Sequence, residues 1–290
     1  MSKYFFIVNP TSGRGKGLQF GKRLEDRLGQ LSLDYDLAYT EKPLHASDIA
    51  AEKAQKFEVI VVVGGDGTLN EVVNGIHGTN AVLGILPVGS GNDFVRAVPI
   101  PVDLDSSLKI LLNDKRKKID LARINDRIYL NGVGIGFDAW AVHTGNKVTK
   151  LRGNAIYLYA VLHTLINFKP KDIEITINGQ TYTKDFFLMT IANGVALGGG
   201  FHLTPDALID DGLLDVCLVE NMHKLDIIRN LLKVYSGKHK EDPRVNIINT
   251  DKVSIRSQDG FAVHADGELL SLDMKEIDIE ILPKAIDLVC

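Results

Sequence analysis

Val61-Val62-Val63-Gly64-Gly65-Asp66-Gly67-Thr68-Leu69-Asn70-Glu71 is the stretch whose reading decides the fold. Its β-branched run reads as a buried parallel strand. Glycines crowd the strand's carboxyl end, and a helical pattern follows through Leu69, Val72, Val73 and Ile76. Open α/β sheets take their ligands at this edge. Gly64, Gly65 and Gly67 permit positive φ and close approach of the backbone to a ligand. Amides at the helix start can hold an anion. A carboxylate such as Asp66 among phosphate-binding amides is costly unless a cation joins it, and Mg²⁺ bridging to phosphate is the usual solution. The purely structural alternative is a tight turn with Asp66 as helix N-cap.

Outward from this stretch, residues 1–125 alternate strand and helix signals. Strands are expected at Tyr4–Val8, near Tyr35–Ala38, at Val59–Val63 and at Val82–Leu86. Helices are expected through Leu18, Leu24, Leu28 and Leu31, over Ala46–Lys56 and over Ser106–Leu112. This is the pattern of a parallel, helix-covered sheet, and loops after three of its strands can converge on one cleft. The cluster Lys115-Arg116-Lys117-Lys118 reads as a solvated connector. Strand patterns dominate residues 126–284, with helical interruptions near Asn154–Phe168 and Leu225–Ser236, and Asn178-Gly179 is a hairpin signal. The expected fold is therefore α/β plus all-β: a Rossmann-like N-terminal domain, then a β-sandwich. Residues 285–290 have strand character.

The 290 residues are 45% hydrophobic, enough for two cores. A net charge of -4 gives no global basic field for nucleic acid. The 2 cysteines, Cys217 and Cys290, give no disulfide framework and fit a reducing cytosol. The chain begins on a strand pattern without a charged leader, and no apolar run approaches the ~20 residues that span a bilayer.

Four further segments carry chemistry. Asn9–Gly17 combines hydroxyls, glycines, Arg14 and Lys16; phosphate or ribose contacts fit it, as does an Asn-Pro turn with a Thr11 or Ser12 cap. In Gly89–Asp93, Ser90 and Asn92 can bond a nucleotide, or Asp93 can cap a helix. Asp206, Asp210, Asp211 and Asp215, with Gly212, can supply oxygen ligands to a hard cation or form a solvated acidic turn. His264-Ala265-Asp266-Gly267-Glu268 reads as a polar turn, either an Asp-Gly hairpin with a solvated Glu268 or the carboxylate that phosphoryl transfer to an alcohol needs. A fifth feature is a surface one. Lys147, Lys150 and Arg152 precede an amphipathic stretch through Ile156, Tyr157, Tyr159, Leu162, Leu165 and Ile166, which suits either a core helix or an anionic bilayer surface. Arg14, Lys16, Lys22 and Arg23 offer a second basic surface. Gly198-Gly199-Gly200-Phe201 fits a lipid channel or a strand bulge.

Gly64–Thr68, Asn9–Gly13, Gly89–Phe94, Pro205–Val216 and Asp266–Glu268, in this order, resemble the diacylglycerol kinase and sphingosine kinase superfamily, and within it the soluble bacterial diacylglycerol kinase-like lipid kinases. The resemblance implies ATP and Mg²⁺ as cofactors, with Asn9, Thr11, Ser12, Gly13, Thr40, Gly64, Gly65, Asp66, Gly67, Thr68, Ser90 and Asn92 on the nucleotide. It implies a structural Mg²⁺ held by Asp211 and the carbonyls of Leu208 and Leu213. It makes Glu268 the base, with Asp266 assisting or holding metal, and Asp66 the carboxylate for the catalytic Mg²⁺. It also implies that the 285–290 strand returns to the first domain. The expected reaction phosphorylates a lipid hydroxyl such as that of diacylglycerol, giving phosphatidic acid, with the nucleotide between the two domains. The expected enzyme is cytoplasmic, associates peripherally with the membrane, and has anionic phospholipid as a partner and no nucleic acid. A homodimer is compatible with it. A different lipid alcohol (sphingoid base, prenol or phosphatidylglycerol), an NAD kinase, and a non-catalytic nucleotide- or lipid-binding regulator stay open.

Overall fold

The computed structural model describes residues 3–148 and 154–290. The chain divides into two compact units, one running through Leu121 and including Pro283–Cys290, the other spanning Ala122–Leu282.

The first unit is built on β1 (Tyr4–Val8), α1 (Ser12–Leu28), β2 (Tyr35–Tyr39), α2 (His45–Lys53), β3 (Val59–Gly64), α3 (Asp66–Ile76), β4 (Val82–Pro87) and α4 (Leu104–Asn113). The four strands are parallel in the order β4-β3-β1-β2, with Val8 opposite Val63 and Val63 opposite Leu86. Each residue of β1, β3 and β4 is buried, which is why these strands read as unbroken apolar runs rather than alternating ones. Full burial of such a side chain contributes roughly 1.5–3 kcal/mol. Leu24, Leu28, Leu104, Leu108 and Leu111 cover the sheet. α1 ends at Leu28, short of Leu31, with Gly29 as its C-cap residue. β5 (Arg116–Ile124) contains most of the basic cluster read as a connector. Its charges are exposed at a strand and ion-paired, Arg116 with Asp114 and Glu58, Lys118 with Asp287. Leu288 pairs in parallel with Leu83 of β4, so the end of the chain lies in the first unit.

The second unit contains β6 (Arg127–Tyr129), β7 (Gly132–Gly136), α5 (Phe137–Asn146), α6 (Asn154–Asn167), β8 (Asp172–Ile177), β9 (Gln180–Ala192), β10 (Leu214–Glu220), α7 (Lys224–Val234), β11 (Val245–Thr250), β12 (Lys252–Ala265) and most of β13 (Glu268–Val289). Its pairings are antiparallel, in the order β11-β10-β9-β7-β12, with β8 against β9 and β12. Alternating side chains such as Ile173, Ile175 and Ile177 on β8 and Val253 and Ile255 on β12 fill its core. Asn178 and Gly179 take φ of 50° and 75°, the left-handed pair that joins β8 to β9 in a two-residue hairpin. Arg127–Tyr129 and Gly132–Gly136 are separate strands, because the backbone at 130–132 turns to meet Asp266. α5 and β11 carry no periodic signal in the sequence strong enough to be read. Among the described residues no helix is long and apolar enough to cross a membrane.

Candidate functional site

Within the first unit, the loops after β1, β3 and β4 interlock. Asn9 Nδ2 donates to Thr68 Oγ1 at 2.8 Å, and Ser12 Oγ lies 3.5 Å from the same hydroxyl. Asn9 Oδ1 accepts from the Thr11 amide and hydroxyl at 3.0 and 2.8 Å. After right-handed Thr11, residues Gly13, Arg14 and Gly15 take φ of 57°, 65° and 86°. Such a switch of hand groups amides into a concavity that suits an anion. Gly65 and Gly89 cross so tightly that a Cβ on either would meet the other's Cα at 2.9 or 2.6 Å. Backbone from two loops thus occupies the space a side chain would need.

α3 starts at Asp66, so Asp66 is the first helical residue and not the N-cap. The N-cap is Gly65, which has no side chain to satisfy the orphan amides of the first turn. A Cβ on Gly67 would meet nothing within 4 Å, so this helix start is open. Asp66 Oδ1 accepts from the Phe94 amide at 3.2 Å, tying α3 to the loop after β4. In that loop Asn92 takes φ 49° and donates from Nδ2 to Gly89 O at 3.0 Å, while its Oδ1 is buried and has no partner among the described residues. Ser90 is exposed. The expected helix after Gly89–Asp93 is a single 3-10 turn, Phe94–Arg96, and Asp93 makes no capping bond. Thr40 is buried at the end of β2, its amide on Val8 O at 2.9 Å. Uncapped amides, an orphaned acceptor and a carboxylate form a donor set that fits a phosphate accompanied by a divalent cation.

In the second unit, Asp266 and Gly267 form a two-residue hairpin with φ of 47° and 83°, pairing Ala265 with Glu268. The Asp266 carboxylate accepts from the amides of Leu130, Asn131 and Gly132 at 2.9–3.0 Å. Its oxygens therefore serve the backbone of 130–132. Glu268 is 58% exposed at its side chain and ion-paired with Arg127. Arg127 Nη1 to Glu268 Oε1 is 3.3 Å, and Nη2 meets Oε2. His264 behind the turn is buried and bonds Asp138 of α5.

The acidic cluster also lies in the second unit. Asp206 is exposed and paired with Lys240. Asp211 is exposed, and its Oδ1 accepts from the Leu213 amide at 3.0 Å. Leu208 is exposed. Asp215 is buried, and burial lifts its carboxyl to about 6, with further upward pushes from Asp211 and Asp206. Among the described residues no three His, Cys, Asp or Glu side chains gather as a metal cluster. The set fits a hard cation only if one carboxylate is joined by carbonyl oxygens. The neighbouring Cys217 thiol is pushed up to about 12, first by burial and then by Asp215, so it is inert as a nucleophile.

An apolar cavity of about 70 Å³ lies under α5, α6 and α7, lined by Phe137, Val161, Phe187, Phe201, Leu231 and Val234, with Asp138 at its wall. Gly198, Gly199 and Gly200 have φ of 67°, 84° and 107°, and this tight loop presents Phe201 to the cavity. Leu158, Tyr159, Leu162 and Ile166 on α6 and Leu225, Ile228 and Leu232 on α7 are exposed. Lys147 is exposed; Lys150 and Arg152 lie outside the described residues, as does the Tyr157 side chain.

Residues 3–124 match the diacylglycerol kinase catalytic domain, and residues 131–290 match the YegS C-terminal NAD kinase beta sandwich-like domain. The fold is thus that of an α/β domain followed by a β-sandwich. The chain belongs to the diacylglycerol kinase family and is a lipid kinase. It is 30% identical over 269 residues to a diacylglycerol kinase of Staphylococcus aureus (strain bovine RF122 / ET3-1), covering 90% of this chain and 84% of that one. The crystal structure of a diacylglycerol kinase from Bacillus anthracis str. Sterne superposes with a TM-score of 0.77 at 25% identity, over 99% of this chain and 96% of that one. An NAD kinase from Archaeoglobus fulgidus in complex with ATP shares the fold, with a TM-score of 0.55 at 15% identity, over 99% and 93% of the two chains. Arg127, Asp138 and the cavity lining other than Phe201 escaped the sequence reading. Arg127 and Asp138 lie more than a hundred residues from the side chains they touch.

Proposed function

We propose that this protein transfers the γ-phosphoryl group of ATP to the hydroxyl of a membrane lipid, diacylglycerol before other lipid alcohols, giving phosphatidic acid. The observation that carries the reading is the open, uncapped start of α3 with Asp66 at its first position, in a chain of the diacylglycerol kinase family. Amides there and in the Asn9–Gly15 loop bind phosphate oxygens, and Asn9, Thr11, Ser12, Thr40, Ser90 and Asn92 orient the nucleotide. Asp66 holds the catalytic Mg²⁺, which when bound neutralises phosphate charge. Glu268 accepts or orients the proton of the lipid hydroxyl, and Arg127 fixes its carboxylate until then. Asp266 supports Glu268 by holding the backbone of 130–132. Transfer is direct, in keeping with an inert Cys217. Asp211, with the Leu208 and Leu213 carbonyls, holds a structural Mg²⁺; a Mg²⁺-dependent rise in Tm that D211N abolishes would support this site.

The apolar cavity receives the end of an acyl chain, and its small volume requires Phe201 or its neighbours to move for more. The exposed apolar residues of α6 and α7, with basic residues such as Lys147, rest on an anionic bilayer surface in peripheral association. ATP consumption in mixed micelles, one lipid at a time and with or without anionic phospholipid, tests the whole reading. Turnover with diacylglycerol that requires the anionic lipid is the expected result. Tight ATP binding without turnover on any lipid would overturn it.

A further inference from the structure

The buried pair His264–Asp138 has no part in the roles assigned above. His264 is 2% exposed and Asp138 5% exposed. His264 Nε2 lies 2.9 Å from Asp138 Oδ2, and the Gly267 amide donates to His264 Nδ1 at 3.3 Å. A ring that accepts at Nδ1 carries its proton at Nε2 and donates it to Asp138. The ring is therefore fixed at both nitrogens, between the first turn of α5 and the turn that delivers Glu268. Asp138 sits in that first turn, where a carboxylate is favoured. The packing leaves no slack: a Cβ at Gly134 would lie 2.2 Å from His264 Nε2 and 2.3 Å from Asp138 Oδ2.

We infer that His264 is a positioning residue for Glu268, and that Asp138 anchors it from the wall of the apolar cavity. The 264–268 turn is clamped on two sides. Asp266 grips the amides of 130–132 on one side, and His264 grips the Gly267 amide on the other. With both grips in place the hairpin has one orientation, and Glu268 leaves it at a fixed angle. Asp138 also lines the cavity, beside Phe137 and Phe187. An alkyl chain seated there packs against the residue that sets the imidazole, so lipid occupancy reaches the turn through two hydrogen bonds. This inference rests on the lipid-kinase reading for its catalytic consequence, but the clamp itself can be measured without turnover.

Two substitutions separate the two nitrogens. H264N keeps an acceptor close to the position of Nδ1 and loses the bond to Asp138. H264Q keeps a donor near Nε2 and loses the acceptor for Gly267. Amide exchange of the 264–268 turn and steady-state kinetics would be measured for both, with D138N as the conservative control that can still accept from Nε2. The expected result is faster exchange at the turn in H264Q and a fall in kcat of about 10- to 100-fold, the cost of misplacing a reacting group by about 1 Å. The KM for ATP stays at the wild-type value, and D138N retains most of the activity. H264Q with wild-type exchange and wild-type kcat would overturn the inference. So would a parallel loss of kcat and ATP affinity in H264Q and H264N, which is the mark of general unfolding. If the wild-type protein phosphorylates no lipid, the lipid-kinase reading fails, while the exchange data still decide the clamp.

Discussion

The loops after β1, β3 and β4 meet through a close backbone crossing as well as side-chain bonds, whereas the 264–268 turn is held by side chains that reach across 126 to 141 residues of sequence. At Gly65 and Gly89 two backbone segments pass so close that a Cβ on either would meet the other's Cα within 3 Å, at 2.9 and 2.6 Å respectively. At His264, Asp266 and Glu268 each anchor is an imidazole or a carboxylate with a named partner. A site made of backbone tolerates few residue types and announces itself as a glycine-rich motif. A site made of side-chain pairs leaves a much weaker local signature, because each partner is an ordinary residue until the fold brings it in.

This contrast can be broken most sharply at Glu268. E268Q should lower kcat by about 10²–10⁴-fold, the usual contribution of a general base, with ATP binding unchanged by calorimetry. Retained turnover would remove Glu268 from the chemistry and leave the second unit's turn as scaffold alone. The backbone site is challenged by G89A, whose new Cβ meets Gly65 Cα and Asn92 Oδ1 at 2.6 and 2.5 Å. Overpacking of this kind costs about 1–3 kcal/mol, and a urea midpoint should fall accordingly along with nucleotide affinity. An unchanged midpoint would mean that the loops separate easily.

Acid stability sharpens the side-chain half. Asp242 is held well below the ordinary carboxylate range by the hydrogen bond from Arg244, against an opposing push from burial and with help from Asn230. Its folded value is depressed, so its stabilisation is present above the ordinary aspartate value of about 4 and is lost as pH falls through the folded value. Wild-type unfolding followed from pH 6 to pH 2 should show this acid loss, and D242N should flatten it. An equally steep acid limb in D242N would assign the loss to other carboxylates. The smallest effect is expected from R127A. The Arg127–Glu268 pair is substantially exposed, and such pairs are worth about 0–1 kcal/mol. A larger drop in the unfolding midpoint would show that Arg127 holds the hairpin as well as the carboxylate.

Much of the first unit was legible because its information is local. Fully buried parallel strands write themselves as runs such as Val59–Val63, and the glycines at their ends mark where two backbones must touch. The hairpins at Asn178-Gly179 and Asp266-Gly267 were legible for the same reason: the left-handed turn selects these dipeptides. The basic cluster at 115–118 misled because exposed strand residues with ion-pair partners have the composition of a loop. α5 was missed because its mixed face packs on α6 and β12 rather than alternating with solvent.

The sequence by itself determined the class of protein and the place of its glycine-rich loops, since close backbone approach, uncapped helix starts and buried strands are demands met residue by residue. Only the tertiary structure decided what holds the turn at 264–268. Asp266 could have been a metal ligand or a solvated carboxylate until the amides of 130–132 arrived at 2.9–3.0 Å. His264 was one histidine among 8 until Asp138 met its ring in a space that only Gly134 leaves open. Contacts of that kind depend on packing between segments far apart in the chain.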